Sequence, residues 1–236
     1  MGSVMKIRLA TAVLAALLPA GAATAQDFFV YGGAAIEYER DPNGPGSEDT
    51  RDINAHVEVE KSGFFAGVWA EKARDKAYDK ADVYIGYRSE TAGGLSYYVD
   101  ATRRTYFNDV GDYTVFDAGL GYSFTDKLSG SVDYSHYIDP DLNDLYLGLA
   151  YAVTDKLSVS ASYGSYGVAE ASDEQEWDFG ATYALGEETA VDVRYYDGTE
   201  YVDGYLGVSL TWDTTFLSRC GASGPARGVS SGPANL

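Results

Sequence analysis

This chain of 236 residues has few of the residues that cross-link or interrupt a fold, since it holds one cysteine, Cys220, and six prolines. A single cysteine excludes an internal disulfide. Apolar runs are equally scarce. Beyond the first residues, no stretch approaches the eighteen or so consecutive apolar residues that a membrane-spanning helix needs. Any crossing of a lipid bilayer must therefore use strands that close into a barrel.

The one long apolar run lies at the start of the chain. Lys6 and Arg8 precede it, and the small-residue pattern Ala23-Thr24-Ala25 ends it just before Gln26. A short basic segment, an apolar segment and a small-residue site form the pattern of a cleaved secretory signal peptide. We predict a signal peptide over 1–25 and export from the cytoplasm.

Positive charge is also in short supply. Seventeen Lys and Arg oppose 36 Asp and Glu, for a net charge of −19. Two of the positive charges lie in 1–25 and two more, Arg219 and Arg227, lie near the end, so residues 26–216 carry −23. Such an acidic segment makes nucleic acid an implausible partner.

A short unit occurs twice, beginning at Tyr122 and again at Tyr151, and both copies contain Thr-Asp-Lys-Leu-Ser. In each copy apolar residues fall on every second position, which is the period of a β-strand. Each copy is predicted to be a β-hairpin with a tight Thr-Asp turn. A hairpin repeated along an exported chain indicates a closed antiparallel barrel in an outer membrane.

The same alternation predicts about twelve strands, near 27–39, 52–60, 63–73, 80–91, 94–107, 113–124, 127–138, 143–153, 156–167, 174–185, 188–197 and 202–213. Every second connection is minimal, at 61–62, 92–93, 125–126, 154–155 and 186–187. The alternate connections, such as 41–51 and 168–173, are longer and richer in turn residues. Short turns at one rim and longer loops at the other are typical of outer-membrane barrels.

Periodicity alone does not say which face is inside. We assign the apolar face to lipid, while a soluble exported barrel or sandwich would turn the same face inward. Aromatic residues near strand ends favour the lipid assignment because they would form an interfacial girdle. The predicted girdle comprises Tyr122, Phe124, Trp177, Tyr183, Trp212 and Phe216.

The polar face would then line a lumen. Its predicted pore-lining residues are Glu37, His56, Glu58, Arg88, Asp100, Arg104, Asp117, Asp133, Asp178, Asp192, Arg194 and Asp203. Opposed acidic and basic groups in a wet lumen would create a transverse field, and the acidic excess favours cations. The alternative is that these charges pair across a filled interior and plug the barrel.

Catalytic and metal sites find little support in the sequence. Only two histidines are present, His56 and His136, and their strand parities place them on opposite faces. Ser135 and His136 are adjacent in a strand and so point to opposite sides. The segment 139–144 has the oxygen-rich start of a calcium loop but lacks the central Gly and distal Glu. We expect no enzyme activity, no cofactor and no dedicated metal site.

One region resembles a known family. The stretch Ser62-Gly-Phe-Phe-Ala-Gly-Val-Trp-Ala70, followed by Asp82-Val-Tyr-Ile-Gly-Tyr87 and Gly94-Leu-Ser-Tyr-Tyr-Val-Asp100, resembles the TorF-type porin family of proteobacterial outer-membrane proteins. The match covers about residues 60–107. Glu71 departs from the family pattern, which more often has Ser and Asn after the Trp-Ala pair. The resemblance implies an outer-membrane barrel with a pore role and supplies no catalytic residues.

Together these features predict an all-β, up-and-down transmembrane barrel over 26–216 in the outer membrane of a Gram-negative bacterium. Its expected partners are outer-membrane lipid, lipopolysaccharide and small, preferentially cationic or neutral solutes that diffuse passively. Two rivals stay open: a closed barrel with a structural or surface-binding role, and a soluble periplasmic β-protein. We interpret 217–236, rich in Gly, Ser, Ala and Pro, as a disordered tail, with a non-native extension as one explanation.

Overall fold

A computed structural model describes residues 28–40, 50–73, 79–107, 111–138, 142–166, 174–199 and 204–219. They form twelve strands: β1 (Phe28–Arg40), β2 (Thr50–Lys61), β3 (Phe64–Lys72), β4 (Lys80–Glu90), β5 (Leu95–Tyr106), β6 (Tyr113–Ser123), β7 (Leu128–Tyr137), β8 (Leu142–Ala152), β9 (Leu157–Tyr166), β10 (Glu174–Ala184), β11 (Thr189–Gly198) and β12 (Tyr205–Arg219). Each strand pairs antiparallel with its sequence neighbours, and β1 pairs with β12 to close the barrel. The predicted twelve-stranded barrel is confirmed.

The two copies of the repeated unit adopt the same hairpin turn. The backbone N–H groups of Leu128 and Leu157 donate to the Oγ1 atoms of Thr125 and Thr154, each at 3.0 Å. A Thr hydroxyl that satisfies a turn N–H stabilises the chain reversal. This shared contact explains why the Thr-Asp-Lys-Leu pattern recurs.

The connection between β2 and β3 is the tightest turn. Ser62 and Gly63 occupy it, with φ of 53° and 85°. Two successive positive φ values define the mirror-image turn that matches the twist of a hairpin, and Gly adopts them without strain. The sequence placed this turn one residue earlier, at 61–62.

The last strand is longer than the alternation predicted. β12 continues to Arg219 instead of ending near 213, and Phe28 pairs with Arg219. The physical reason is closure, because β12 must cover the whole of β1 if no strand edge is to stay open. A register shift between Val30 and Tyr31 accommodates one extra residue of β12 there. The rest of the predicted tail and the predicted signal peptide lie outside the described residues.

The exposed apolar side chains lie on the outer face of the barrel. Leu147, Leu206 and Leu210 are exposed on the outer face, as are all six predicted girdle residues. Trp212 and Phe216 pack edge to face, with ring centroids 6.1 Å apart. Within the described residues, no helix is long and apolar enough to span a membrane.

Candidate functional site: the barrel lumen

The inward face of the barrel is dominated by carboxylates. Alternation along the paired strands turns four basic side chains inward, those of Lys80, Arg88, Arg104 and Arg194. Carboxylates on the same face of the described strands are far more numerous: Glu37, Glu39, Asp52, Glu58, Glu60, Glu71, Asp82, Glu90, Asp100, Asp117, Asp133, Asp144, Glu176, Asp178, Asp192 and Asp213. The lumen therefore carries a large net negative charge.

One side of the lumen is closely packed. We call the buried inward residues in the loop-side halves of β3–β5 the packed wall: Trp69, Glu71, Lys80, Asp82, Thr102, Arg104 and Tyr106. The Arg104 and Asp82 side chains are directly opposite on paired strands and are only 3% and 1% exposed. Arg104 Nε and Nη2 donate to Asp82 at 3.0 and 2.8 Å, the fork geometry that makes guanidinium–carboxylate pairs strong.

A second ion pair extends this wall toward the longer loops. Lys80 Nζ lies 3.3 Å from Glu71 Oε1, and its ammonium sits 5.6 Å from the centre of the Trp69 ring. Both side chains of the pair are buried. An ammonium removed from water needs such a carboxylate and an aromatic face to offset its desolvation. The packed wall is thus a filled, polar part of the interior.

The opposite side of the lumen is more open. We call seven half-buried inward residues of β9–β11 the open wall: Ser158, Ser160, Ser162, Asp178, Thr182, Asp192 and Arg194. Arg194 contacts both Asp178 and Asp192, and its Nη2 donates to Ser160 Oγ at 2.7 Å. Small neighbours leave this guanidinium 17% exposed. Water and solutes can therefore reach a charged network here.

Between the two walls, β5–β7 present a row of acids at mid-height. Asp100 and Asp117 are directly opposite each other on paired strands, and Ser135 donates a hydrogen bond to Asp117. Tyr98 donates to Asp133 at 2.9 Å. Two like charges placed opposite each other repel, so a cation nearby lowers their energy.

A separate charged cluster of one arginine and two glutamates lies near the short-turn rim. Arg88 contacts Glu58 and Glu60 across the sheet, and its guanidinium stacks on the Phe65 ring at 4.6 Å from the centroid. Each of the four basic side chains of the described lumen therefore contacts a carboxylate on its own strand or on a strand one or two places away. The described arginines pair with acids on the same or nearby strands and not across the lumen. The transverse field stays a prediction.

All predicted pore-lining residues except Asp203 lie on the inward face of the strands. Asp203 lies outside the described residues. Glu37 faces Asp52 across paired strands, and His56 Nε2 lies 3.5 Å from Asp213 Oδ1. Sequence reasoning missed several interior residues: Glu60, Glu71, Lys80, Asp82, Asp144 and Asp213. The alternation within β4 that assigned Arg88 to the polar face would also have assigned Asp82 to that face. Its burial, however, depends on neighbours from other strands.

The described part of the lumen holds no candidate metal centre. No group of three or more His, Cys, Asp or Glu among the described residues is arranged to hold a metal ion. His136 lies on the outer face, where its Nδ1 is 2.9 Å from Asn143 Oδ1. Half of the candidate calcium loop, 139–141, lies outside the described residues, and 142–144 belong to β8.

Comparison with known proteins supports the fold. No protein-family model matches the chain, and no curated protein does. Among solved structures, the KdgM porin superposes with a TM-score of 0.62 at 10% identity, covering 76% of this chain and 98% of that one. The NanC porin gives 0.57 at 10% identity, with 79% and 100% covered. Omp33 of Acinetobacter baumannii gives 0.51 at 15% identity, with 81% and 100% covered. At identities this low, the structural similarity establishes a shared barrel fold and nothing more.

Proposed function

We propose that this protein is an outer-membrane channel for the passive diffusion of small cationic and neutral solutes. The observation that carries the proposal is the combination of an apolar exterior with an acidic interior. A continuous band of exposed leucine, valine, isoleucine and aromatic side chains is unfavourable in water and favourable against hydrocarbon. A carboxylate-lined lumen raises the local concentration of cations and repels anions.

The solute path follows the open wall. The half-buried serines and charged groups of β9–β11 leave room that the packed wall does not. Passage beside Arg194, Asp178 and Asp192 favours small polar solutes that exchange part of their hydration shell for hydroxyl and carboxylate oxygens. The proposed path therefore lies to one side of the lumen, along a polar and negatively charged surface.

The structural neighbours support a channel, but the acidic lumen of this chain does not favour an anionic solute. One solved KdgM porin, with a TM-score of 0.63 at 11% identity, is described in complex with oligogalacturonate. A polyanion of that kind would meet repulsion from the carboxylates in the present lumen. Membership of the TorF-type porin family stays a prediction that rests on residues 60–107.

Planar-bilayer recording of the refolded protein tests the proposal. Stepwise conductance with a reversal potential that indicates cation preference in a KCl gradient is the expected result. Replacing Asp117 and Asp133 with Asn should lower the cation-to-anion permeability ratio, because both carboxylates face the lumen. The double variant Asp126→Asn/Asp155→Asn removes the same charge from exposed turns and serves as the matched control.

The rival function is a closed barrel with a structural or surface-binding role. The packed wall favours this rival, because its ion pairs and aromatic rings fill one side of the interior. A folded, heat-modifiable protein that inserts into the bilayer without conducting would establish the closed barrel. A reversal potential unchanged in the Asp117/Asp133 variant would refute the assignment of those residues to the conducting surface.

A further inference from the structure

At the longer-loop rim, the basic residues on the described barrel exterior lie in one sector. Arg40, Arg51, Lys72 and Arg103 lie within four residues of the loop-side ends of β1, β2, β3 and β5 and point outward. We call these four residues the basic belt. On the outward faces of β6–β11, the described residues include no Lys or Arg. In a chain of net charge −19, this clustering is opposite in sign to the rest of the protein.

The belt residues are held in place but keep donors available. The Arg51 guanidinium lies 5.7 Å from the Tyr38 ring centre, and Arg103 Nη1 donates to Thr114 Oγ1 at 3.2 Å. Lys72 contacts Asp79 at 3.1 Å and Arg103 Nη2 lies 3.7 Å from Asp112 Oδ2, yet the two basic side chains are 65% and 52% exposed. A guanidinium carries five donors and an ammonium three, so these contacts leave several for another acceptor.

The surface directly below the belt is apolar. On the same outward face and toward the short turns, Ile36, Ile53 and Val99 are exposed. A soluble anion would use the cations alone. An amphiphile with phosphates attached to acyl chains would use both the cations and the apolar surface, with its phosphates at the rim and its chains along the strands.

We propose that the basic belt binds the phosphates of the glycolipid of the outer leaflet, lipopolysaccharide, on the β1–β5 side of the barrel. This inference rests on the outer-membrane location in the proposed function. Charge complementarity selects the ligand: a phosphorylated lipid meets cations here, whereas the same lipid would meet no arginine or lysine on the described outward faces of β6–β11. The lipid would therefore occupy one side of the protein preferentially.

The test titrates purified diphosphoryl lipid A into the detergent-solubilised protein and follows binding by native mass spectrometry. The belt variant is Arg51→Gln/Lys72→Gln/Arg103→Gln. The control is Lys61→Gln/Lys127→Gln/Lys156→Gln, which removes three exposed cations from the short-turn rim. Each cation near a lipid phosphate contributes on the order of 1 kcal/mol. We therefore expect the belt variant to bind at least about tenfold more weakly and the control to match the unmodified protein.

Several outcomes overturn the proposal. Equal weakening in the two variants would indicate general charge attraction, and unchanged binding in the belt variant would exclude the site. Undiminished affinity of the unmodified protein for fully dephosphorylated lipid A would exclude phosphate as the recognised group. Conductance measured on the same preparations separates this inference from the proposed function, because the belt lies outside the lumen and its variants should conduct normally.

Discussion

Two arginines of the lumen, Arg104 and Arg194, make similar contacts in very different surroundings. Both point into the lumen, and each contacts an aspartate on a neighbouring strand. Around Arg104 stand Trp69, Tyr106, Tyr113 and Val115, and the side chains of Arg104 and Asp82 are almost fully buried. The neighbours of Arg194 include Ser160, Ser162, Gly180 and Gly207, which leave water access. The bulk of the side chains on adjacent strands thus decides whether an ion pair is buried or reached by water.

The largest difference should appear in stability. Replacing Arg104 with Met leaves Asp82 as a buried charge without its partner, which costs about 3–5 kcal/mol in comparable sites. Arg194→Met should cost only about 1–2 kcal/mol, because water can solvate Asp178 and Asp192. Urea unfolding of the refolded protein in lipid vesicles, followed by tryptophan fluorescence, measures both values.

A double variant sharpens this comparison. Asp82→Asn/Arg104→Met removes both buried charges and should recover most of the stability that Arg104→Met loses, because a buried ion pair often contributes little net stability. Equal losses for Arg104→Met and Arg194→Met would show that burial does not distinguish the two walls.

Solvent access gives the second difference. In a Cys220→Ser background, a cysteine at Ser160 should react with a small, water-soluble thiol reagent at least about tenfold faster than a cysteine at Thr102. Ser160 is half-buried on the open wall, while Thr102 is buried on the packed wall. A thiol must be exposed to react in water. Intact-mass spectrometry of the folded protein follows the reaction whether or not the barrel conducts. Equal rates would mean that the lumen is uniformly wet or uniformly filled.

The sequence predicted the barrel well because alternation, turn spacing and strand length are local properties. Parity within β4, β5 and β11 placed Arg88, Arg104 and Arg194 on one face. The asymmetry between the walls could not be predicted in this way. It depends on which residues of other strands stand beside each arginine, and that is set by register and barrel shear. The end of β12 was missed for the same reason, because closure against β1 is a long-range requirement.

Ion selectivity should give the smallest difference. Arg194→Gln removes the cation that neutralises Asp178 and Asp192 on the open wall, so the cation-to-anion permeability ratio should rise. A unit charge a few ångströms from a passing ion in water contributes up to about 1 kcal/mol, which corresponds to a rise of about two- to fivefold. Asp82→Asn/Arg104→Met removes a buried pair of no net charge and should leave the ratio unchanged. Reversal potentials in a KCl gradient measure both ratios. A response confined to the packed-wall variant would place the solute path on the other side of the barrel, because an ion senses most strongly the charges that it passes in water.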